Sequence, residues 1–213
     1  RSLKTPTFRP MSSAPLAERM RPKSLEGYVG QQHIVGPNGA LQPALDQKRL
    51  PSLLFWGPPG VGKTTLAQLL ASHVDRPFTA MSAISSGVKD VRDEIQRAEK
   101  ERMFHPEGRV LFIDEIHRLT RVAEELLYPA MEDRRLDLTV GKGSTARTRT
   151  LDLPPFTLVG ATTRAGSLSS PLRDRFGLIQ RLEFYGQEDL EAIVERAAGL
   201  LNLQLSPQAC TEI

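Results

Sequence analysis

The segment from residue 57 to residue 64 reads Gly57-Pro58-Pro59-Gly60-Val61-Gly62-Lys63-Thr64 and matches the pattern G-x-x-x-x-G-K-[ST] in full. The apolar run 53–56 precedes it, and leucines at helical spacing follow it. Backbone N–H groups of such a glycine-rich loop wrap around phosphates, and the N-terminus of the next helix adds its dipole. The segment therefore predicts a nucleoside triphosphate site between a strand and a helix, with every residue of the loop binding nucleotide.

A second apolar run, 110–113, ends in the adjacent acids Asp114 and Glu115. In sites of this class the lysine, here Lys63, reaches the β- and γ-phosphates, and the hydroxyl of Thr64 binds Mg²⁺. Asp114 would complete the Mg²⁺ shell, and Glu115 would be the general base that polarises the attacking water. ATP and Mg²⁺ are the expected ligands. The acid pair favours hydrolysis over phosphoryl transfer to a small molecule.

Two polar features lie further along the chain. Thr162 and Thr163 follow the apolar stretch 157–161, and a threonine at that edge of a parallel sheet can sense the γ-phosphate or the attacking water. Arg173 and Arg175 lie in a loop, and an arginine from a neighbouring subunit can stabilise transition-state charge. On chemistry alone, the alternatives of a threonine turn or cap and of surface ion pairs stay open.

Buried strands that alternate with helices predict an α/β fold, a P-loop NTPase domain with a parallel sheet flanked by helices. The expected strands are 53–56, 110–113 and 157–161, and the expected helices are 63–73, 88–102, 119–131 and 189–201. Residues 136–153 depart from this alternation and predict an inserted β-hairpin with a glycine-rich turn. The expected domains are a flexible arm (1–15), a large ATPase domain (16–185) and the truncated start of a helical lid (186–213).

The composition is that of an ordinary globular protein, with 39% hydrophobic residues and a net charge of +3 over 213 residues. No apolar run reaches the ~18 residues of a membrane span, and the chain opens without an apolar leader, so we expect no membrane association. One cysteine, Cys210, fits a reducing cytosol. The histidines show no metal-ligand spacing, so Mg²⁺ is the one metal expected. His117 is open to two interpretations, a proton relay or a structural neighbour of the acids.

Basic residues concentrate in the stretches 1–23 and 134–149. Either stretch could meet a phosphate backbone, and either could equally be solvated surface. The net charge therefore neither requires nor excludes a nucleic-acid partner.

The motifs together resemble the AAA+ ATPases, in that family's order over nearly the whole chain. Residues 15–104 resemble the RarA family of replication-fork ATPases through Leu16-Ala17-Glu18-Arg19-Met20-Arg21-Pro22, Gly30-Gln31-Gln32-His33 and Ser82-Ala83-Ile84-Ser85-Ser86-Gly87-Val88-Lys89-Asp90. From Phe112 onward the chain resembles the RuvB family of Holliday-junction motors, most closely in the stretches 124–133, 151–157 and 160–185. This split indicates a mosaic, either natural or engineered.

The resemblance implies roles for individual residues. Thr163 would be the sensor 1 residue and Arg175 the arginine finger that acts in trans, with Arg173 as a second candidate. Residues Glu132 to Arg134 would also approach nucleotide. The further nucleotide contacts expected are Arg21, Tyr28, Val29, Thr65 and Tyr185.

The resemblance also implies partners. A finger that acts in trans implies a homo-oligomeric ring, expected to be a hexamer. The hairpin would match the RuvB element that docks on RuvA, but Arg149 stands where that family usually has an apolar residue, which weakens docking and leaves DNA contact open.

The predicted function is an ATP-hydrolysing DNA-remodelling motor of recombination and repair, most like a Holliday junction branch-migration ATPase, in the bacterial cytoplasm at the nucleoid. Two alternatives stay open: a RarA-like ATPase at replication forks or DNA ends, and a non-motor switch that binds ATP to assemble on a protein partner. A small-molecule P-loop kinase is disfavoured, because it has no use for an inserted hairpin and a trans arginine.

Overall fold

The structure, a computed structural model, describes residues 16–101, 103–106, 108–140 and 147–203. The strands are β1 (Leu53–Trp56), β2 (Phe78–Ser82), β3 (Arg109–Asp114), β4 (Arg135–Val140), β5 (Arg147–Asp152), β6 (Phe156–Thr162) and β7 (Leu178–Arg181). The α-helices are α1 (Leu16–Arg19), α2 (Gln32–Val35), α3 (Gln42–Asp46), α4 (Lys63–His73), α5 (Val88–Lys100), α6 (Arg121–Glu132), α7 (Ser170–Arg173) and α8 (Gln187–Leu201). Short 3₁₀ turns occupy Leu25–Gly27, Ile116–Arg118 and Ala165–Ser167.

Five parallel strands form the central sheet, in the order β2–β3–β6–β1–β7. At its carboxyl edge, Trp56 of β1 pairs with Thr162 of β6, and Ile113 of β3 pairs with Gly160 of β6. The ends of these three neighbouring strands therefore meet at one edge, which is where ligands bind in open α/β sheets. The predicted α/β fold with a parallel sheet is confirmed.

Apolar side chains pack on both faces of the sheet. Successive residues of β1 point to opposite sides. Phe55 therefore joins the cluster that contains Leu66 and Leu70 of α4, whereas Leu54 joins the cluster that contains Val91 of α5 and Leu127 of α6. This packing fixes β1 and α4 against each other and so fixes the loop that connects them.

Strands β2 and β7 are absent from the strands that the sequence predicts. Both lie at an edge of the sheet and pair on one side only. Their side chains are half-buried or exposed, with Ile179 of β7 42% exposed. Because they are covered less completely than the central strands, they lack the continuous apolar run that marks a strand buried on both faces.

Helix α6 differs from its predicted bounds at its N-terminus. It begins at Arg121 rather than at residue 119, because Thr120 caps it by accepting a hydrogen bond from the Ala123 amide. The spacing of apolar residues in this helix predicts that Val122 points inward, but the prediction is wrong, since this side chain is 62% exposed. The buried stripe of the helix runs through Ala123, Leu127 and Ala130, and Val122 lies beside that stripe.

Strands β4 and β5 form a separate antiparallel pair that follows α6 directly, in register from Arg135 opposite Asp152 to Val140 opposite Arg147. Leu136 and Leu153 are buried at its base. The predicted glycine-rich turn, the predicted arm and the last ten residues of the predicted lid lie outside the described residues. Within the described part of the chain, no helix has the length and apolar character that crossing a bilayer requires.

Candidate functional site

The glycine-rich loop connects the end of β1 to the start of α4. Gly62 directly precedes the helix with a φ of +91°, a left-handed conformation that favours glycine. A Cβ atom at this position would lie 2.7 Å from the hydroxyl of Tyr185 and 2.9 Å from that of Tyr28. Both the backbone conformation and the two tyrosines therefore require glycine here.

The ammonium group of Lys63 lies against this loop. It donates hydrogen bonds to the carbonyl oxygens of Gly57 at 2.9 Å and Pro58 at 2.6 Å, and the residue is 8% exposed. Burial lowers the pKa of the Lys63 ammonium group, and the negative charges of Asp114 and Glu115 oppose that shift. A buried cation with neutral partners is suited to exchange those carbonyl oxygens for phosphate oxygens.

The acid pair lies at the end of β3. Glu115 has a φ of +50° and opens the 3₁₀ turn that follows the strand. Strained non-glycine residues of this kind cluster at functional sites. The Glu115 amide donates to Asp114 Oδ1 at 3.0 Å, and the Thr163 hydroxyl donates to Glu115 Oε2 at 3.2 Å. The structure thus brings the predicted base and the predicted sensor threonine into direct contact.

His117 bridges this carboxylate and the end of β6. Its Nδ1 atom lies 3.2 Å from Glu115 Oε2 and 2.8 Å from the Thr162 hydroxyl. The same hydroxyl accepts a hydrogen bond from the Arg164 amide at 2.9 Å. An Nδ1–H on this ring can donate to the carboxylate of Glu115 and so help to fix it.

A cleft of about 210 Å³ opens beside the glycine-rich loop. It is lined by side chains that the sequence predicts as nucleotide contacts, namely Arg21, Tyr28, Val29, Thr65 and Tyr185. Burial raises the pKa of the Tyr28 and Tyr185 hydroxyls, so both stay protonated and neutral at physiological pH. Walls that combine apolar side chains with polar groups suit a flat heterocyclic base.

The cleft also contains residues that the sequence does not predict. Met20 directly precedes Arg21 in the chain, and Ile193 and Arg196 come from α8. Arg196 also donates a hydrogen bond to the carbonyl oxygen of Gly27. Ile193 and Arg196 are three residues apart, a spacing that places them on one face of a helix and that could have been read from the sequence. Nothing local in the sequence links that face to the glycine-rich loop.

A magnesium ion fits the residues at this edge. Thr64 lies in the first turn of α4 and Asp114 at the end of β3, and these two elements contact each other. Hydroxyl, carboxylate and phosphate oxygens are the ligands that Mg²⁺ prefers. The donor set therefore agrees with a metal that arrives with the nucleotide.

Arg175 lies with α6 and α7. Its Nη2 atom is 2.8 Å from Glu132 Oε1, its guanidinium carbon is 4.5 Å from the centre of the Tyr128 ring, and it donates to the carbonyl oxygen of Pro171. Within the described residues, none of its hydrogen bonds or ion pairs involves the loop or the acid pair. The second candidate, Arg173, donates to the Ser170 hydroxyl at 3.2 Å.

Comparison with known families gives a match to the Holliday junction DNA helicase RuvB P-loop domain over residues 20–182. The chain is 62% identical over 205 residues to the Holliday junction branch migration complex subunit RuvB of a Synechococcus species, covering 94% of this chain and 55% of that protein. It is 61% identical over 207 residues to the subunit of the same name from Prochlorococcus marinus, covering 96% of this chain and 57% of that protein.

Solved structures agree with these relatives. The Thermotoga maritima RuvB Holliday junction branch migration motor has a TM-score of 0.73 and 40% sequence identity, covering 90% of this chain and 58% of that one. A point mutant of the same protein has a TM-score of 0.75 at the same identity and the same coverage.

The chain spans little more than half the length of the curated relatives it matches. Those relatives extend across both halves of the chain, so one family accounts for the stretch 15–104 as well as for the rest. The comparisons give no support for a RarA-derived N-terminal half. The chain belongs to the RuvB P-loop domain family of AAA+ ATPases.

Proposed function

We propose that the chain is the ATP-hydrolysing domain of a bacterial motor that drives branch migration of Holliday junctions in recombination and repair. The observation that carries this proposal is the contact between Glu115 and Thr163 at the edge of the sheet that also presents the Lys63 loop. The relatives' name, a subunit of the branch migration complex, supplies the substrate class.

The reaction is in-line attack of water on the γ-phosphorus of ATP, with cleavage of the bond to the β–γ bridging oxygen and release of ADP and phosphate. Glu115 accepts the proton of the attacking water, and its contact with Thr163 holds the carboxylate in place. Lys63 exchanges its loop carbonyls for phosphate oxygens and so neutralises charge. Thr64 and Asp114 would hold Mg²⁺, which would supply further positive charge against the phosphates.

Arg175 acts on the nucleotide of a neighbouring subunit in this proposal. Its partners in its own chain are Glu132 and Tyr128, away from the acid pair. A finger supplied in trans lets each subunit sense the nucleotide state of the next, and it makes the active form a homo-oligomeric ring, proposed to be a hexamer.

The hairpin of β4 and β5 is the proposed contact for a RuvA-like partner. Leu136 and Leu153 anchor its base, so force on the hairpin reaches the core of the domain. Arg149, opposite Leu138 in the register, is the residue that departs from the apolar character expected of a docking strand. The proposed working place is at the nucleoid in the bacterial cytoplasm, where branched DNA arises.

The steady-state ATPase rate of the longest natural form of the protein tests this function. We would compare four-way junctions, with and without RuvA, against duplex ends with single-stranded tails. Stimulation by junctions that depends on RuvA supports the proposal. Lys63→Ala should lose nucleotide binding or turnover, and normal turnover in that variant would contradict the site.

The RarA-like alternative predicts a different result, namely stimulation by DNA ends without a protein partner. The non-motor switch predicts ATP binding with no multiple turnover, so that Glu115→Gln would leave its behaviour unchanged. The same set of rates therefore separates the three functions.

A further inference from the structure

We propose that Tyr128 is a positioning residue for Arg175, whose guanidinium group it supports and directs towards the neighbouring subunit. This inference rests on the proposed function, in which Arg175 acts in trans. Tyr128 touches neither nucleotide nor water in this proposal, and it acts only through the arginine.

Arg175 and Tyr128 form a cation–π contact, with the guanidinium group over the aromatic ring. The guanidinium carbon of Arg175 lies 4.5 Å from the ring centre of Tyr128, well within the distance at which a cation is attracted to a ring. The Arg175 side chain is only 20% exposed, and its Nε is buried without a hydrogen-bond partner among the described residues. The ring is therefore a principal support of an arginine whose Nε the described residues leave without a hydrogen bond.

Tyr128 is itself held from two sides. Its hydroxyl donates to Glu124 Oε1 at 2.7 Å and lies 3.4 Å from the Ser169 hydroxyl. Ser169 also donates to that carboxylate oxygen and caps α7 through the Leu172 amide at 3.3 Å. The orientation of the ring is thus tied to the helix that leads to Arg175.

Three side chains that contact α7 or Arg175 share one face of α6. Glu124, Tyr128 and Glu132 follow each other at intervals of four residues, which brings their side chains one above the other. Glu124 holds α7, Tyr128 supports the guanidinium face, and Glu132 binds its edge. Helix α6 therefore presents a continuous surface on which the arginine loop rests.

Face and edge contacts have different consequences for a finger that must reach phosphate. Glu132 is 53% exposed, and its ion pair with Arg175 is of the weak, exchangeable surface kind. A phosphate oxygen can take the place of that carboxylate because both bind the N–H edge of the guanidinium. The ring binds the face and leaves the edge free, so its support persists when the partner changes.

The test uses the longest natural form of the protein with the variants Tyr128→Leu, Tyr128→Phe, Arg175→Ala and Glu115→Gln. Val122→Ala is the matched control, because Val122 is an exposed residue of the same helix. We expect Tyr128→Leu to lose about tenfold in ATPase rate while its affinity for a non-hydrolysable ATP analogue stays unchanged. Tyr128→Phe keeps the ring face and should stay within about threefold of the unmodified protein.

Subunit mixing separates positioning from a structural role. A subunit with Tyr128→Leu keeps its own nucleotide site and lacks a working finger. Mixed with Glu115→Gln subunits, which supply fingers, it should regain activity. Mixed with Arg175→Ala subunits, it should not.

The opposite pattern overturns the proposal. Recovery with Arg175→Ala but not with Glu115→Gln would show that Tyr128→Leu damages its own nucleotide site, and normal activity of Tyr128→Leu alone would show that the ring is dispensable. The reference mixture of Arg175→Ala with Glu115→Gln tests the proposed function separately. If that mixture stays inactive, the trans finger fails, whatever Tyr128 does.

Discussion

Lys63 carries a buried positive charge whose only polar partners among the described contacts are two carbonyl oxygens of its own loop. Desolvation lowers the pKa of the ammonium group, and the nearby acids compensate only in part. The buried charge is therefore held at a cost, and phosphate oxygens relieve that cost on binding. This makes the first step of recognition sensitive to the protonation of one side chain.

We expect the affinity for a non-hydrolysable ATP analogue to fall as pH rises, starting below the usual lysine range near ~10.4. The sign follows from the lowered pKa, since Lys63 loses its charge at a lower pH than an exposed lysine. Tyr28 and Tyr185 do not contribute, because their raised pKa keeps them neutral there. Titration calorimetry at a series of pH values from neutral upward measures the trend.

The control for this measurement is Lys63→Arg, which stays charged over the whole range. Its affinity should depend less on pH than that of the unmodified protein, even if it is weaker at every pH. An equal decline in both proteins would assign the pH dependence to some other group.

The Thr163 hydroxyl is expected to matter for turnover rather than for binding. Its hydrogen bond to Glu115 fixes the proposed base, so Thr163→Ala should lower turnover by about tenfold to a hundredfold and leave analogue affinity nearly unchanged. Thr163→Ser keeps the donor and should retain most of the rate. Single-turnover and analogue-binding measurements distinguish the two effects, and a loss of affinity would instead place Thr163 among the binding residues.

At the scale of elements, the central strands could be predicted because β1, β3 and β6 are covered on both faces and each contains a run of apolar residues. The edge strands β2 and β7 could not be predicted, because their partial exposure permits polar residues that interrupt an apolar run. The loop and the acid pair were predictable because phosphate chemistry is encoded locally. Ile193 and Arg196 were not, because only tertiary packing brings α8 to the cleft.

Helix α6 gives a direct check on which of its faces is buried. Leu127 is fully buried, and Leu127→Ala should lower the free energy of unfolding by about 2–5 kcal/mol. Val122 is 62% exposed, and Val122→Ala should change the free energy of unfolding by less than about 0.5 kcal/mol. Denaturant unfolding of both variants measures the difference, and equal losses would show that Val122 is buried after all.

At the scale of the whole molecule, the proposed function divides the catalytic groups of the chain between two sites. Lys63, Glu115 and Thr163 converge at one edge of the sheet, whereas Arg175 rests on α6 with its charge paired to Glu132. Among the described residues, no ion pair joins an arginine to Asp114 or Glu115, so in the proposed function a neighbouring subunit supplies that arginine. Catalysis in the proposed function becomes a property of the interface between subunits.

We therefore expect the ATPase rate per subunit to rise with protein concentration through the range in which the protein assembles, while the affinity for a non-hydrolysable ATP analogue stays nearly constant. The rise reflects the exchange of Glu132 for the neighbour's γ-phosphate at Arg175, and an arginine finger contributes on the order of 10³-fold or more to the rate. Sedimentation under the same conditions locates the assembly range. Arg175→Ala should assemble over that range without the rise in rate, because it loses the group that links assembly to hydrolysis. A rate per subunit that is independent of concentration in the unmodified protein would mean that each subunit hydrolyses ATP alone, and Arg175 would then be a structural residue of the α6 surface.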